Sequence, residues 1–152
     1  QQYRVSEMPY FGQELFEMAN AKGGLGDSAY IRARSLARRL AGPEGIDAAL
    51  KAQQLDALIA PATGPAWLTD HKAGDHFPGG GYGAAAVAGY PSLTVPMGHS
   101  DGLPLGIVFM GTAWSEGRLI ELGYAYEQLT RARNPPEYWP TLDTRKSGAA
   151  RR

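Results

Sequence analysis

The sequence predicts an α/β fold in which helices cover both faces of a central sheet. Three short runs are almost continuously apolar, and Pro or Gly bounds each of them: residues 57–60, 92–95 and 105–110. Short apolar runs without alternation are typical of strands that are buried on both faces. A longer amphipathic segment, from Ser115 to Leu129, follows the last run and predicts a helix that packs on the sheet.

Composition limits the classes of partner. The 152 residues fit one domain, which we place at residues 1–142, followed by a basic tail at 143–152 that we predict to be disordered. Lys plus Arg equals Asp plus Glu at 15 each, so no net field favours nucleic acid or an anionic membrane. The chain has no cysteine, which excludes disulfides and thiolate metal sites. We therefore predict no nucleic acid and no membrane partner. We also predict a cytoplasmic location with the periplasm as the alternative, between which the absence of cysteine does not decide.

The start of the chain predicts a piece of a longer protein. It begins at Gln1, without an initiator Met or a targeting segment, and a processed mature end is the alternative. Residues 14–19 predict a short amphipathic helix, which the glycines from Gly23 onward interrupt.

A second helix is predicted up to Ala41, with Asp27 or Ser28 as its N-cap. Four apolar residues share one face of this helix: Ala33, Leu36, Ala37 and Leu40. Four arginines lie on its two flanks: Arg32, Arg34, Arg38 and Arg39. A solvated surface explains the arginines better than a phosphate site, because they do not share one face.

A third helix is expected to begin at Pro43, after Gly42 ends the second one. Its inward-facing residues are predicted to be Ile46, Ala49 and Leu50.

The loop at residues 62–83 is the first place to look for a pocket, because ligands of such sheets bind beyond the strand ends. Within it, a metal site made by His71, Asp75 and His76 has few further ligands to complete it. The glycines at 79–81 lack the Lys and Ser or Thr of a nucleotide-binding loop, so a closely packed or flexible backbone is favoured over a phosphate site. We therefore predict no metal and no cofactor.

The remaining elements follow in order. Small residues at 84–88 predict a helix that lies close to a neighbour and ends at Gly89. A polar turn is predicted at 98–102, with His99 at its exposed tip.

For the last helix we predict Ser115 as the cap and Glu116 at the positive end of its dipole. Its buried stripe is predicted to be Leu119, Leu122, Tyr126 and Leu129. Gly123 is tolerable there if the helix presses directly on the sheet. Beyond it, the segment 138–140, with Trp139 and Pro140, is expected to anchor the end by packing.

Three motifs in this order resemble the C-terminal part of amidase signature enzymes, the serine amidohydrolase family. Residues 56–61 match the family pattern D-x-L-hydrophobic-x-P, and residues 89–98 match G-x-P-x-x-x-x-P-x-G. Residues 102–107 and the following helix, with Glu116, Leu119 and Glu127, extend the match. The resemblance implies the C-terminal part of a mixed central sheet covered by helices on both faces.

The resemblance also implies hydrolysis of a carboxamide to an acid plus ammonia or an amine, by a Ser-Ser-Lys triad. No two serines are adjacent in this chain, so the catalytic residues are expected elsewhere in the amidase domain and none is assigned here. The expected role of the chain is to supply strands and a pocket wall to the remainder of that domain. The residues predicted to face the small-molecule or peptide amide substrate are Trp67, Asp70, His76 and Phe77.

Two other functions remain open at this point. A stand-alone binding or assembly module would leave open sheet edges, so it is expected to self-associate, for example as a homodimer. An intact hydrolase of another type would need a nucleophile and a base, for which the sequence offers only Ser92 or Ser100 with His99.

Overall fold

A computed structural model describes residues 2–74, 76–136 and 138 of the chain. The predicted tail at 143–152 lies outside the described residues, as do Trp139 and Pro140 of the predicted anchor. The α/β class is confirmed, since helices pack on both faces of a three-stranded sheet.

Three helices precede the sheet: α1 (Arg4–Glu7), α2 (Glu14–Asn20) and α3 (Ser28–Ala41). Asp27 is confirmed as the N-cap of α3, where its side chain accepts a hydrogen bond from the Ala29 N–H at 2.7 Å. None of the described residues of these helices is buried. Even Leu36, on the apolar face of α3, remains 47% exposed.

The end of α3 at Ala41, with Gly42 as its C-cap, is confirmed, but the next helical turn follows without a break. A π-helical turn (Gly42–Asp47) connects α3 directly to α4 (Ala48–Gln53). Pro43 has no N–H to donate and its ring would clash in a regular α-helix, which a wider turn accommodates. Ile46 and Leu50 are buried as predicted, and Ala49 is half-buried.

The sheet contains β1 (Leu58–Pro61), β2 (Ser92–Ser100) and β3 (Leu103–Met110) in the order β1-β3-β2, and both pairs are antiparallel. Burial on both faces is confirmed for β3, whose residues 107–110 are all buried. It is wrong for β1 and β2, which lie at the two edges and alternate between more and less exposed residues.

The hairpin between β2 and β3 is tighter than the predicted turn at 98–102. Asp101 and Gly102 have φ of +52° and +80°, as the two central residues of a type I′ turn require. The prediction is wrong because β2 continues to Ser100, so His99 is exposed but lies in the strand, opposite Pro104. A β-bulge between Pro96 and Gly98 allows this extension.

Two apolar clusters hold the layers together. On one face of the sheet, buried side chains of β3 meet the helices before it: Ile46, Leu50, Ala85, Val108 and Met110. Ala85 belongs to α5 (Gly83–Ala88), which ends at Gly89 with φ +77°, as predicted. On the other face the cluster contains Val95, Ile107, Phe109 and Leu119.

Leu119 belongs to α6 (Glu116–Thr130), which packs across β2 and β3. The helix presses directly on the sheet at Gly123, where an added Cβ would lie 2.5 Å from the Leu93 Cδ2. Leu119, Leu122 and Tyr126 join the second cluster as predicted, but Leu129 is 86% exposed because no described element covers it.

Ser115 takes the N-cap position of α6 but makes no capping bond, so this part of the prediction is wrong. Its hydroxyl instead donates to the Thr112 carbonyl at 2.7 Å. Glu116 lies in the first turn of α6, where a negative charge is favourable.

Candidate functional site

The loop at residues 62–83 is tied to the sheet at both of its ends. The Ala62 N–H donates to the Gly106 carbonyl of β3 at 2.7 Å. At the other end, the Gly81 N–H donates to the carbonyls of Pro61 and Ala62, at 3.1 and 3.2 Å. The two ends of the loop therefore lie side by side at one end of the sheet.

Close packing explains two glycines of the run at 79–81. A Cβ on Gly80 would lie 2.5 Å from the Ala62 carbonyl oxygen. A Cβ on Gly81 would overlap the Cβ of Ala60 and would lie 3.1 Å from the Val108 Cγ1. This agrees with the closely packed backbone that the sequence favoured over a phosphate site. At Gly79, by contrast, an added Cβ would have no atom within 4 Å. Its φ of +91° is nevertheless a backbone conformation that favours glycine.

The structure brings together two of the four predicted substrate-facing residues. The rings of Trp67 and Phe77 are 6.1 Å apart at their centroids and tilted by 50°. This geometry is typical of aromatic pairs that attract one another. Because the two side chains are 41% and 54% exposed, the pair presents an apolar surface at the outside of the loop.

Asp70 organises the loop between these two rings. Its Oδ1 accepts hydrogen bonds from the N–H groups of Lys72 and Ala73, at 2.8 and 2.9 Å. The bonds from Ala73 and then Lys72 lower the pKa of this carboxyl below its ordinary value, since they stabilise the charged form. Asp70 is therefore ionised at neutral pH and fixes the turn at residues 70–73.

The two histidines of the loop differ in their surroundings. His76 is exposed, and no hydrogen bond or ring contact joins it to Asp70 or Phe77 within the described part of the chain. The ring of His71 stacks on Tyr10, with centroids 4.3 Å apart and planes 12° apart.

The metal site weighed from the sequence involves Asp75, which lies outside the described residues. Among the residues that the structure does describe, no group of three or more His, Asp or Glu side chains is arranged to hold a metal ion.

Sequence reasoning missed a polar cluster at the opposite end of the sheet. The Tyr90 hydroxyl donates to the Oδ2 of Asp47 at 2.6 Å, and the Thr112 hydroxyl donates to its Oδ1 at 2.7 Å. The bond to Asp47 raises the pKa of Tyr90, because it is made by the neutral phenol. Only the position of Tyr90 inside the G-x-P motif hinted at this cluster, since the two hydroxyls that bond Asp47 lie 43 and 65 residues from it in sequence.

The candidate loop forms an open surface, since residues 65–74 and 76–80 are all exposed. Two cavities of about 270 and 170 Å³ lie in the N-terminal helical region, and no residue of the loop lines either of them. A binding site at the loop therefore needs further protein surface opposite Trp67 and Phe77.

Across the described residues, no helix has the length and apolar character needed to span a membrane.

Comparisons with known proteins find amidases among the proteins similar to this chain. No protein-family model matches the sequence. A probable amidase from Arabidopsis thaliana is 32% identical over 142 residues, covering 91% of this chain and 23% of that protein.

Solved structures are more similar. The native peptide amidase from Stenotrophomonas maltophilia matches with 66% identity and a TM-score of 0.82, over 91% of this chain and 28% of that one. A peptide amidase in complex with the competitive inhibitor chymostatin matches over the same shares, with 67% identity and a TM-score of 0.87. The chain thus spans about a quarter of the length of the proteins it matches.

Proposed function

The chain belongs to the amidase signature family as a C-terminal portion of its fold, and from this premise we propose that it is part of an enzyme that hydrolyses a carboxamide to a carboxylic acid plus ammonia or an amine. The observation that carries the proposal is 66% identity to a peptide amidase over 91% of this chain. We further propose that the substrate is a peptide amide.

In this proposal the bond-breaking residues lie in the rest of the amidase domain. None of the seven serines of the chain has a serine neighbour, as the Ser-Ser-Lys mechanism of the family would require: Ser6, Ser28, Ser35, Ser92, Ser100, Ser115 and Ser147. The chain alone is therefore expected to be inactive. It contributes strands and one wall of the substrate site.

The wall is formed by the rings of Trp67 and Phe77, with Asp70 and His76 supplying polar groups beside them. An exposed aromatic pair can pack on an apolar side chain of a peptide substrate, while polar groups orient its amide. Asp70 serves this wall mainly through the turn that it holds, because its Oδ1 already accepts two backbone hydrogen bonds.

The remainder of the amidase domain is the proposed partner of the uncovered apolar surfaces. The exposed side chains on the first three helices include Leu15, Phe16, Ile31, Leu36 and Leu40. Exposed apolar side chains that lie together on a surface are typical of interaction sites. The alternative partner of these apolar surfaces is a second copy of the isolated chain, in a homodimer.

The experiment is to measure ammonia release from a panel of peptide amides, using both the 152-residue chain and the full-length amidase that contains it. Activity is expected only in the longer protein. Activity in the chain alone would overturn the proposal, and Ser92, His99 and Ser100 would become the first residues to mutate.

A matched pair of variants tests the wall itself. In the full-length enzyme, Trp67→Ala is expected to lower kcat/KM for peptide amides about tenfold, which is the effect of losing roughly 1.4 kcal/mol of binding. Leu68→Ala, at an exposed neighbouring position, is expected to change it less than about twofold. Equal effects of the two substitutions would contradict the assigned role of Trp67.

A further inference from the structure

We propose that the stack between Tyr10 and His71 positions the candidate substrate loop, so that Tyr10 is a positioning residue for substrate binding. This inference rests on the proposed function, because the loop is the wall assigned there. The stack joins two segments that are far apart in sequence, the link between α1 and α2 and the middle of the loop.

His71 lies within a hydrogen-bonded turn in the middle of the loop. It directly follows Asp70, whose Oδ1 accepts the N–H groups of Lys72 and Ala73. Residues 70–73 therefore form one hydrogen-bonded turn. A contact that holds the ring of His71 consequently restrains the whole turn.

This turn lies between the two aromatic residues of the wall in sequence. Trp67 lies three residues before Asp70, and Phe77 lies four residues after Ala73. The loop ends are fixed on the sheet through Ala62 and Gly81. The Tyr10 stack adds a restraint in the middle of the loop. Because this point lies between Trp67 and Phe77, the restraint limits how their two rings are placed relative to one another.

The stack between Tyr10 and His71 is a contact between ring faces. A centroid distance of 4.3 Å with planes 12° apart places the two rings face to face, so that the contact depends on the ring and not on the Tyr10 hydroxyl. Phe at position 10 is therefore expected to preserve the contact, whereas Ala removes it.

The test uses the full-length amidase with three variants: Tyr10→Ala, Tyr10→Phe and Tyr3→Ala. Tyr3 is a matched control, because it is equally exposed in the same helical region, at 66% against 67% for Tyr10. We expect Tyr10→Ala to raise KM for a peptide amide about fivefold with kcat changed less than about twofold, which indicates loss of binding without loss of chemistry. Tyr10→Phe and Tyr3→Ala are expected to remain within about twofold of the parent enzyme in both constants.

Adding His71→Ala to Tyr10→Ala is expected to bring little further increase in KM, since both substitutions remove the same contact. An unchanged KM in Tyr10→Ala, or a KM increase of the same size in Tyr3→Ala, would overturn the proposal.

A second measurement reports on the loop without relying on activity. Trypsin cleaves after Lys72, within the restrained turn, and cleavage requires local opening of the backbone. Tyr10→Ala is expected to increase the rate of this cleavage several-fold. Tyr10→Phe is expected to be cleaved at the same rate as the parent enzyme. Equal cleavage rates in Tyr10→Ala and the parent enzyme would overturn the restraint itself.

The two measurements separate the two ways of failing. If the parent enzyme released no ammonia from any peptide amide, the proposed function would fail, and with it the role of the stack in substrate binding. Cleavage after Lys72 would still show whether the stack holds the loop.

Discussion

The N-terminal helices and the sheet layer carry similar apolar patterns but bury them differently. On α6, Leu119 is 1% exposed and packs against Val95, Ile107 and Phe109. On α3, Leu36 belongs to the predicted apolar face and remains 47% exposed. An amphipathic pattern thus predicts which side of a helix needs cover, but not that the cover belongs to the same segment of chain.

The largest expected effect comes from the covered side of this comparison. Leu119→Ala in the full-length amidase is expected to lower the free energy of unfolding by about 3 kcal/mol, because it removes a fully buried side chain and leaves a cavity. Equilibrium unfolding in urea measures this loss. Glu121→Ala, on the exposed side of α6, removes only a surface ion pair with Arg118 and is expected to cost less than about 0.5 kcal/mol.

Leu36→Ala tests whether α3 is still more exposed than α6 in the longer protein. If the rest of the amidase domain covers α3, as proposed, this substitution is expected to cost about 2 kcal/mol in full-length protein. Arg34→Ala, on the flank of the same helix, is expected to cost less than about 0.5 kcal/mol. A cost of Leu36→Ala as small as that of Arg34→Ala would mean that α3 stays exposed, and would remove the case for a docking surface there.

Local signals predicted those parts of the fold that depend on neighbours in sequence. Asp27 caps α3 and Gly89 ends α5, because both roles are decided by one residue's own chemistry. The predictions failed where a non-local partner decides. Ile59 of β1 is exposed because α6 packs on β2 and β3, elements that lie far from β1 in sequence.

The candidate site shows the same division. The position of the loop beyond β1 follows from strand-end rules, and the sequence placed Trp67 and Phe77 in it. Their mutual contact, and the stack of His71 on Tyr10, join residues whose spacing has no regular period. Such contacts depend on the path of the folded chain, so the spacing of the residues in the sequence does not predict them. The assignment of Trp67, Asp70, His76 and Phe77 to substrate binding stays a prediction.

Gly123 provides a smaller test of how closely α6 lies on the sheet. Ala is the better helix former by up to about 1 kcal/mol. Here, however, its Cβ would lie 2.5 Å from the Leu93 Cδ2 and 3.4 Å from the Val95 Cγ1, so crowding is expected to outweigh that gain. We expect Gly123→Ala to destabilise the protein by about 1 kcal/mol in urea unfolding.

Gly117 lies in the same helix and is the matched control for Gly123. No atom lies within 4 Å of an added Cβ there, so Gly117→Ala is expected to be neutral or stabilising by a few tenths of a kcal/mol. Stabilisation by both substitutions would show that α6 stands further from the sheet than the structure places it.

The smallest expected effect concerns the hydrogen bond from Tyr90 to Asp47, which ties the start of β2 to the helical layer. Tyr90→Phe removes this bond and is expected to lower Tm by about 1–2 °C at neutral pH. Since the bond raises the pKa of Tyr90 above its ordinary value of 10.0, the contribution is complete below pH 10 and is lost as the pH rises through the higher folded-state pKa. The Tm difference between Tyr90→Phe and the parent enzyme should therefore stay constant from pH 7 to about pH 9 and shrink above about pH 10. Tyr124→Phe, at an exposed position on α6, should show no such difference at any pH, and a gap that widened above pH 10 would contradict a bond made by the neutral phenol.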